Sequence, residues 1–440
     1  MLPGMTSVPL LYRVAVRALR RSAPLLALGG SKVARGIRGR RETADALVRW
    51  GRRERDTERP TVWFHAPSVG EGLQAGAVFG ELVRLRPGLQ VAFTHFSPSA
   101  EGLGDRLGAD VSGYLPWDIG ESVGPVLDAL VPRLLAFTKT EVWPVLVDEA
   151  SRRGIPVAIV GATVPHGAGR MKWPARATLR HTWGQLSAAC ANTPEDGDRL
   201  VELGVDRSAV HITGDPGIDS AALRVREADP TSPYVAPFLA SGRPTVVAGS
   251  TWPADEDVLL PAWSAVRRTA PAALLVVAPH EPDSASVAAL LERLRGLGLR
   301  AVTLGTVERR ASVDAVDAVV VDRVGVLAHL YTVAEAAYVG GGFGYDGLHQ
   351  VLEPAAAGVP VVFGPRHESA RAAAHLMELG AGLAVADVVS LEVALRDWLI
   401  RPERRSRAKE RALEYIGTHL GAARRTARVL DDLLVTAGLA

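Results

Sequence analysis

One cysteine, Cys190, is all that 440 residues contain. A lone thiol excludes an intramolecular disulfide framework and a cysteine-built zinc cage, and it points to a reducing compartment, the cytoplasm. Net charge is also scarce: +2 is too small for the whole-chain balance to imply a nucleic-acid partner. Long apolar runs are missing too. The uncharged N-terminal stretch over residues 22–31 falls short of the roughly 20 apolar residues that cross a bilayer, and no clear signal-peptide cleavage site follows it. There is no HExxH, no CxxC and no GxSxG, so nothing in the sequence asks for a metal and a nucleophile-elbow hydrolase is disfavoured. Asp255 and Asp257 form an Asp-x-Asp pair that reads better as the first turn of a helix.

What is present is the composition of a globular α/β protein, 48% hydrophobic and 22% charged. Its length exceeds what one core usually serves, so two domains are expected. From Tyr12 to Arg55 the charge is strongly basic, with Arg13, Arg17, Arg20, Arg21, Lys32, Arg35, Arg38, Arg40 and Arg41 interleaved with Leu10, Leu11, Val14, Val16, Leu19, Leu25, Leu26 and Leu28. That mixture predicts an amphipathic helix at an anionic lipid surface; a solvated basic helix capping the first domain is the plainer alternative.

Apolar β-rich runs then alternate with helical patterns: 61–66, 90–94, 133–138, 156–160 and 210–213. After a break they resume at 245–248, 273–278, 301–304, 318–321, 336–339 and 359–363. Runs without strict alternation are those of parallel sheets covered on both faces, so two doubly wound domains are expected, with ligands beyond the carboxyl ends of the strands. The expected organisation is a basic segment over 1–55, a first domain over 56–222, a linker over 223–244, and a second domain over 245–440 that includes terminal helices.

Four motifs sit at such strand ends. In FHAPSVGEG, Ser68, Gly70 and Glu71 occupy a strand-to-helix turn, where Gly70 would permit an unusual backbone angle. Glu71 can serve as a general base, or simply cap the helix. In FTKTEVWP, Lys139 offers a cation and Glu141 a second carboxylate, or the two form only a salt bridge. Around GSTWPADED, Ser250 and Thr251 can present backbone amides to a phosphate, although Ser-Thr before acids is also an ordinary helix start. In YVGGGFGYDGLHQVLEPAAAGVPVVFGP, Gly341 and Gly342 let backbone approach a ligand, and a helix beginning near Gly347 would carry His349 and Glu353 on one face. His280 and Glu281, in APHEPD, follow another strand, and either could touch the nucleotide.

In this order HAPSVGE, FTKTEVWP, TGDPGID, GSTWPADED, APHEPD, VDRVGVLAHLY and the glycine-rich motif resemble the 3-deoxy-D-manno-octulosonic acid (Kdo) transferases along nearly the whole chain. The resemblance implies a GT-B fold, two Rossmann-like domains facing a cleft, with CMP-Kdo as donor in the second half and a lipid A precursor as acceptor in the first. It implies Glu71 as catalytic base for an inverting displacement, Glu141 as a second acidic position, and donor-site roles for Ser250, Thr251, His349 and Glu353. It implies no metal cofactor and a peripheral place at the cytoplasmic face of the inner membrane. A different activated sugar or acceptor, or a relative that binds nucleotide without turnover, remain the alternatives. The chain departs from the family pattern at Lys139, often Glu, at His280-Glu281, usually Arg-His, and at Gly217, commonly basic; Arg366 or Lys139 are the cations expected to stand in for the last.

Overall fold

Along the first strand, residues of opposite parity bury on opposite faces: Val62 and Phe64 pack into one apolar cluster and Trp63 into another. A strand buried on both faces needs helices on both, and that is what the computed structural model contains. It describes residues 8–26, 32–344 and 347–438. Leu28, the end of the uncharged stretch at 27–31, and positions 345–346 of the glycine-rich motif lie outside the described residues.

The first sheet is formed by β1 (Thr61–Ala66), β2 (Gln90–His95), β3 (Val111–Tyr114), β4 (Pro132–Thr138), β5 (Val157–Ala162), β6 (Ala188–Ala191) and β7 (Val210–Ile212). All are parallel, in the order β3-β2-β1-β4-β5-β6-β7. The second sheet is formed by β8 (Thr245–Thr251), β9 (Leu274–Pro279), β10 (Ala301–Thr303), β11 (Ala318–Val320), β12 (Ala336–Val339), β13 (Val361–Phe363) and β14 (Gly382–Ala384). It too is parallel, in the order β10-β11-β9-β8-β12-β13-β14. The chain reverses its direction of winding between β1 and β4 in one sheet and between β8 and β12 in the other. These are the switch points, where adjacent connections leave on opposite faces and open a crevice at the strand ends.

The units are residues 1–220 with 420–440, and residues 221–419. Two boundaries therefore depart from the sequence reading. The terminal helix Ala422–Thr436 belongs to the first unit: Ala423, Ala427, Leu430 and Leu434 bury against Val78, Phe79 and Leu82 of α3 (Val69–Leu85). Asp219 of the TGDPGID motif caps it, accepting from the backbone N–H of Gly421 at 2.7 Å and of Ala423 at 3.1 Å. The stretch 223–244 is not a bare linker either. It holds the end of the helix Pro216–Arg226 and the helix Ala236–Ser241, whose Phe238 is buried in the second core.

The basic N-terminal segment divides in two. Helix α1 (Leu10–Leu26) leaves Leu10, Leu11, Val14 and Leu19 exposed, whereas α2 (Lys32–Arg53) buries Leu47 and Trp50 against the first core. Among the described residues no helix is long and apolar enough to cross a membrane. Tyr12 of α1 donates to the Asp118 carboxylate at 2.7 Å, and Asp118 also accepts from the N–H groups of Val145 and Leu146. Burial raises the Asp118 carboxyl from its ordinary 3.8 to about 6.

The unfolded chain releases this proton at lower pH than the folded protein does. The Asp118 contribution to stability is therefore fully present below about pH 4 and lost as pH rises through about 6. In urea titrations, the stability of the wild type relative to Asp118→Asn is expected to fall by about 3 kcal/mol between pH 4 and 7. Parallel pH profiles for the two proteins would show that no such shift exists.

Candidate functional site

In the first unit the switch point is flanked by two loops, one after β1 and one after β4. Ser68 occupies the N-cap of α3 yet makes no side-chain cap bond; its hydroxyl donates instead to the Glu71 carboxylate. Lys139 Nζ lies 2.9 Å from the other Glu71 oxygen. Glu71 is thus held from two sides in the first turn of α3, where the helix amides favour a negative charge. Lys139 pays for its position with a left-handed backbone, φ 69°, fixed by its N–H on the Val160 carbonyl at 2.8 Å. For a residue with a β-carbon that conformation is uncommon and, at a strand end beside a charged pair, points to function.

Glu141 follows, buried in part. Desolvation and the neighbouring Glu71 push its carboxyl above the usual range, while Arg170 and Arg40 pull against that shift. Arg170 anchors to the Thr140 carbonyl. Arg40 is only 6% exposed, its guanidinium 3.9 Å from the Phe96 ring centre and 5.2 Å from that of Trp117. Burial draws that guanidinium down to about 10. Behind these groups the buried His65 accepts from Trp143 Nε1–H at 3.3 Å through Nε2, which leaves Nδ1–H to meet Thr94 Oγ1 at 3.1 Å. Burial lowers the imidazole to about 3, so His65 is a neutral support rather than a proton carrier at neutral pH.

In the second unit the loops after β8 and β12 meet in the same way. Ser250 is left-handed, φ 55°. A Cβ on Gly340 would overlap the Ser250 carbonyl oxygen, and one on Gly341, φ 94°, would overlap that of Gly347. Only glycine lets these chains pass. Asp255, fully buried, fastens the turn: its carboxylate accepts from Gly341 N–H at 2.8 Å, Trp252 N–H at 3.0 Å and Tyr338 O–H at 2.8 Å. Against the turn lies a stack of rings. His280 and His349 are 4.3 Å apart and nearly parallel, Trp252 covers His280 at 4.6 Å, and Trp252 Nε1–H donates to His349 Nε2 at 2.9 Å.

A family model described as 3-Deoxy-D-manno-octulosonic-acid transferase (kdotransferase) matches residues 45–220. A 3-deoxy-D-manno-octulosonic acid transferase of Bordetella pertussis is 31% identical over 96% of this chain and 99% of its own length. The chain belongs to the Kdo transferase family. It is a glycosyltransferase. A transferase of the same name from Chlamydophila psittaci is 27% identical over 79% of each chain. Among solved structures, UDP-GlcNAc 2-epimerase from Neisseria meningitidis, bound to UDP-GlcNAc, superposes with a TM-score of 0.56 at 14% identity, covering 86% of this chain and 100% of that one. At that identity the likeness carries the fold alone, and it is the α/β, GT-B-like fold expected from the sequence.

The structure brings Ser68, Glu71, Lys139 and Glu141 of the transferase together at one switch point, and Ser250, His280, Gly341, Gly342 and His349 around the other. Two expectations need correction. Gly70 has no unusual backbone angle: it is helical, and its missing side chain leaves open space, with only Ser68 Oγ within 4.0 Å of where a Cβ would stand. His349 and Glu353 do not share a helix face. Gly347, with φ 84°, cannot begin a helix there, the helix spans only Leu352–Ala356, and His349 N–H bonds to the Gly340 carbonyl at 3.1 Å. Thr251 donates to Glu256 at 3.2 Å, and Glu353 is paired with Arg224. Burial raises the Glu353 carboxyl, opposed by Arg224.

Of the cations offered in place of one at Gly217, Arg366 hydrogen-bonds the Gly344 carbonyl at 2.8 Å and Lys139 is committed to Glu71. Sequence reasoning missed Arg40, lost in a run of surface-like arginines, and Asp255, whose helix-start pattern is indistinguishable from an ordinary capping box. Among the described residues no three His, Cys, Asp or Glu side chains gather as a metal-binding group.

Proposed function

We propose that this enzyme transfers Kdo from CMP-Kdo to a hydroxyl of a lipid A precursor, with Glu71 as general base and inversion at the sugar carbon attacked. The observation that carries this is the refusal of Ser68 to cap its helix: the hydroxyl and Lys139 instead orient Glu71 at the end of β1. As the acceptor oxygen forms its bond to the sugar, Glu71 takes its proton and the CMP phosphate leaves with the electron pair. Glu141, its charged form disfavoured, is suited to hydrogen-bond the acceptor beside that base. Donor binding is assigned to the second unit, with Ser250 and the amides at Gly341 and Gly342 toward the phosphate and the His280–His349 stack beside it. No metal enters this scheme. The exposed leucines of α1 and its arginines fit an anionic membrane surface, the place where such an acceptor resides.

The test is mass spectrometry of lipid products after incubation with CMP-Kdo or with UDP-sugars. Addition of Kdo from the CMP donor is expected. The missing cation at Gly217 favours another activated sugar as the second reading, and a product formed only from a UDP-sugar would establish it in place of the first.

A further inference from the structure

We propose that the segment 165–174, tipped by Trp173, is a second lipid-contact element of the first unit, made for an anionic phospholipid bilayer, a role that rests on the reading of a membrane-resident acceptor. Trp173 is 84% exposed, more than any other large apolar side chain among the described residues; Leu11 of α1, at 82%, comes next. A single exposed apolar residue is ordinary. The surroundings of this one are not. Lys172 adjoins it, Arg170, Arg176 and Arg180 lie within seven positions, and no aspartate or glutamate occurs from Ala150 through Pro194. An indole whose neighbours in the sequence include cations and no acids is matched to the headgroup region of an anionic leaflet, where the ring sits among acyl carbonyls and the cations meet phosphates.

The tip is also held firmly. Ala168 and Met171 before it, and Leu179 after it, pack on the core cluster that contains Trp183 and Leu186, so the exposure of Trp173 is built into a seated turn and the helix Ala175–Trp183.

Its position ties it to the chemistry. Arg170, three residues before Trp173, donates to the Thr140 carbonyl. From α1, Tyr12 reaches Asp118, which in turn holds the N–H groups of Val145 and Leu146. The elements carrying the two most exposed apolar side chains are thus fastened to the two ends of one stretch, residues 140–146, and that stretch carries Glu141. Two lipid contacts on either side of the acceptor loop fix its height and tilt over the bilayer, which a single amphipathic helix cannot do.

The experiment uses the full chain and vesicles of phosphatidylcholine and phosphatidylglycerol that contain no acceptor and no donor, so its outcome is independent of transfer. Trp173→Ala is expected to weaken partition about tenfold, from loss of buried apolar area. Lys172→Gln is expected to weaken it about fivefold, and Trp173→Phe to cost less than either. The fluorescence difference between wild type and Trp173→Phe should shift to shorter wavelength on these vesicles and be quenched by brominated lipid. Equal partition of Trp173→Ala and wild type overturns the proposal. So does an unquenched difference signal, and so does a Trp173→Ala variant that binds vesicles normally but fails on acceptor in detergent micelles, since the indole would then be contacting the acceptor sugar. A wild type that binds vesicles through Trp173 yet transfers no Kdo would overturn the functional reading and leave this surface standing.

Discussion

Glu71→Ala is expected to lower kcat for transfer by about 10² to 10⁴-fold with donor KM little changed, the loss of a general base acting in the transition state. The more discriminating substitution is Glu71→Gln. It keeps the shape of the side chain and can still accept from Ser68, but it cannot take the acceptor's proton. If Glu71 only stabilised the start of α3, glutamine would leave transfer intact. Helix-terminal charge in a partly buried place such as that of Glu71 contributes up to about 2 kcal/mol, too little to unfold the unit. Thermal unfolding of both variants close to wild type, combined with lost turnover, assigns the loss to chemistry; undiminished transfer by Glu71→Gln would remove Glu71 from the mechanism. Ser68→Ala should fall between, because Lys139 continues to orient the carboxylate.

The second large effect is expected at Asp255. Its carboxylate ties Gly341 N–H, Trp252 N–H and Tyr338 O–H into one knot beneath the glycine turn. Asp255→Ala strands these buried donors, at about 1 to 3 kcal/mol for each group left unpaired. A destabilisation of about 4 kcal/mol corresponds to roughly 10 °C in Tm for a unit of this size. The turn would also lose the conformation that brings its amides together, so CMP should no longer raise Tm in the variant, whereas it does in the wild type. An Asp255→Ala protein as stable as the wild type, with its response to CMP intact, would show that the knot neither holds the unit nor shapes the site. Asp255→Asn is expected to be milder, retaining one oxygen for the amides.

Much of this was legible from the chain alone, for a definite reason. A parallel strand buried on both faces must be apolar throughout, so its sequence announces it, and eleven of the strand runs read from sequence coincide with strands of the two sheets. β3 (VSGY), β6 (AACA) and β14 (GLA) were missed because Ala, Gly, Ser and Cys outnumber the β-branched and aromatic residues that mark a strand. The residues at strand ends, Glu71, Lys139, Ser250 and Gly341, were found because turns and charges at such positions are sparse and chemically marked. The partners of those residues were not.

By itself, then, the sequence determined the α/β class, the two sheets, the family and the order of the chemical motifs, since each depends on local composition or on short spacings that no distant contact can alter. Only the tertiary structure decided which unit receives the terminal helix, because an apolar helix face states that it must be covered and not by what. It decided that Arg40 belongs with Phe96 and Glu141 and not with the surface arginines around it, that Glu353 faces Arg224, and that Ser68 serves Glu71 rather than its own helix. Each of these is a choice between partners far apart in the chain, and burial and hydrogen-bond satisfaction across the whole fold make that choice.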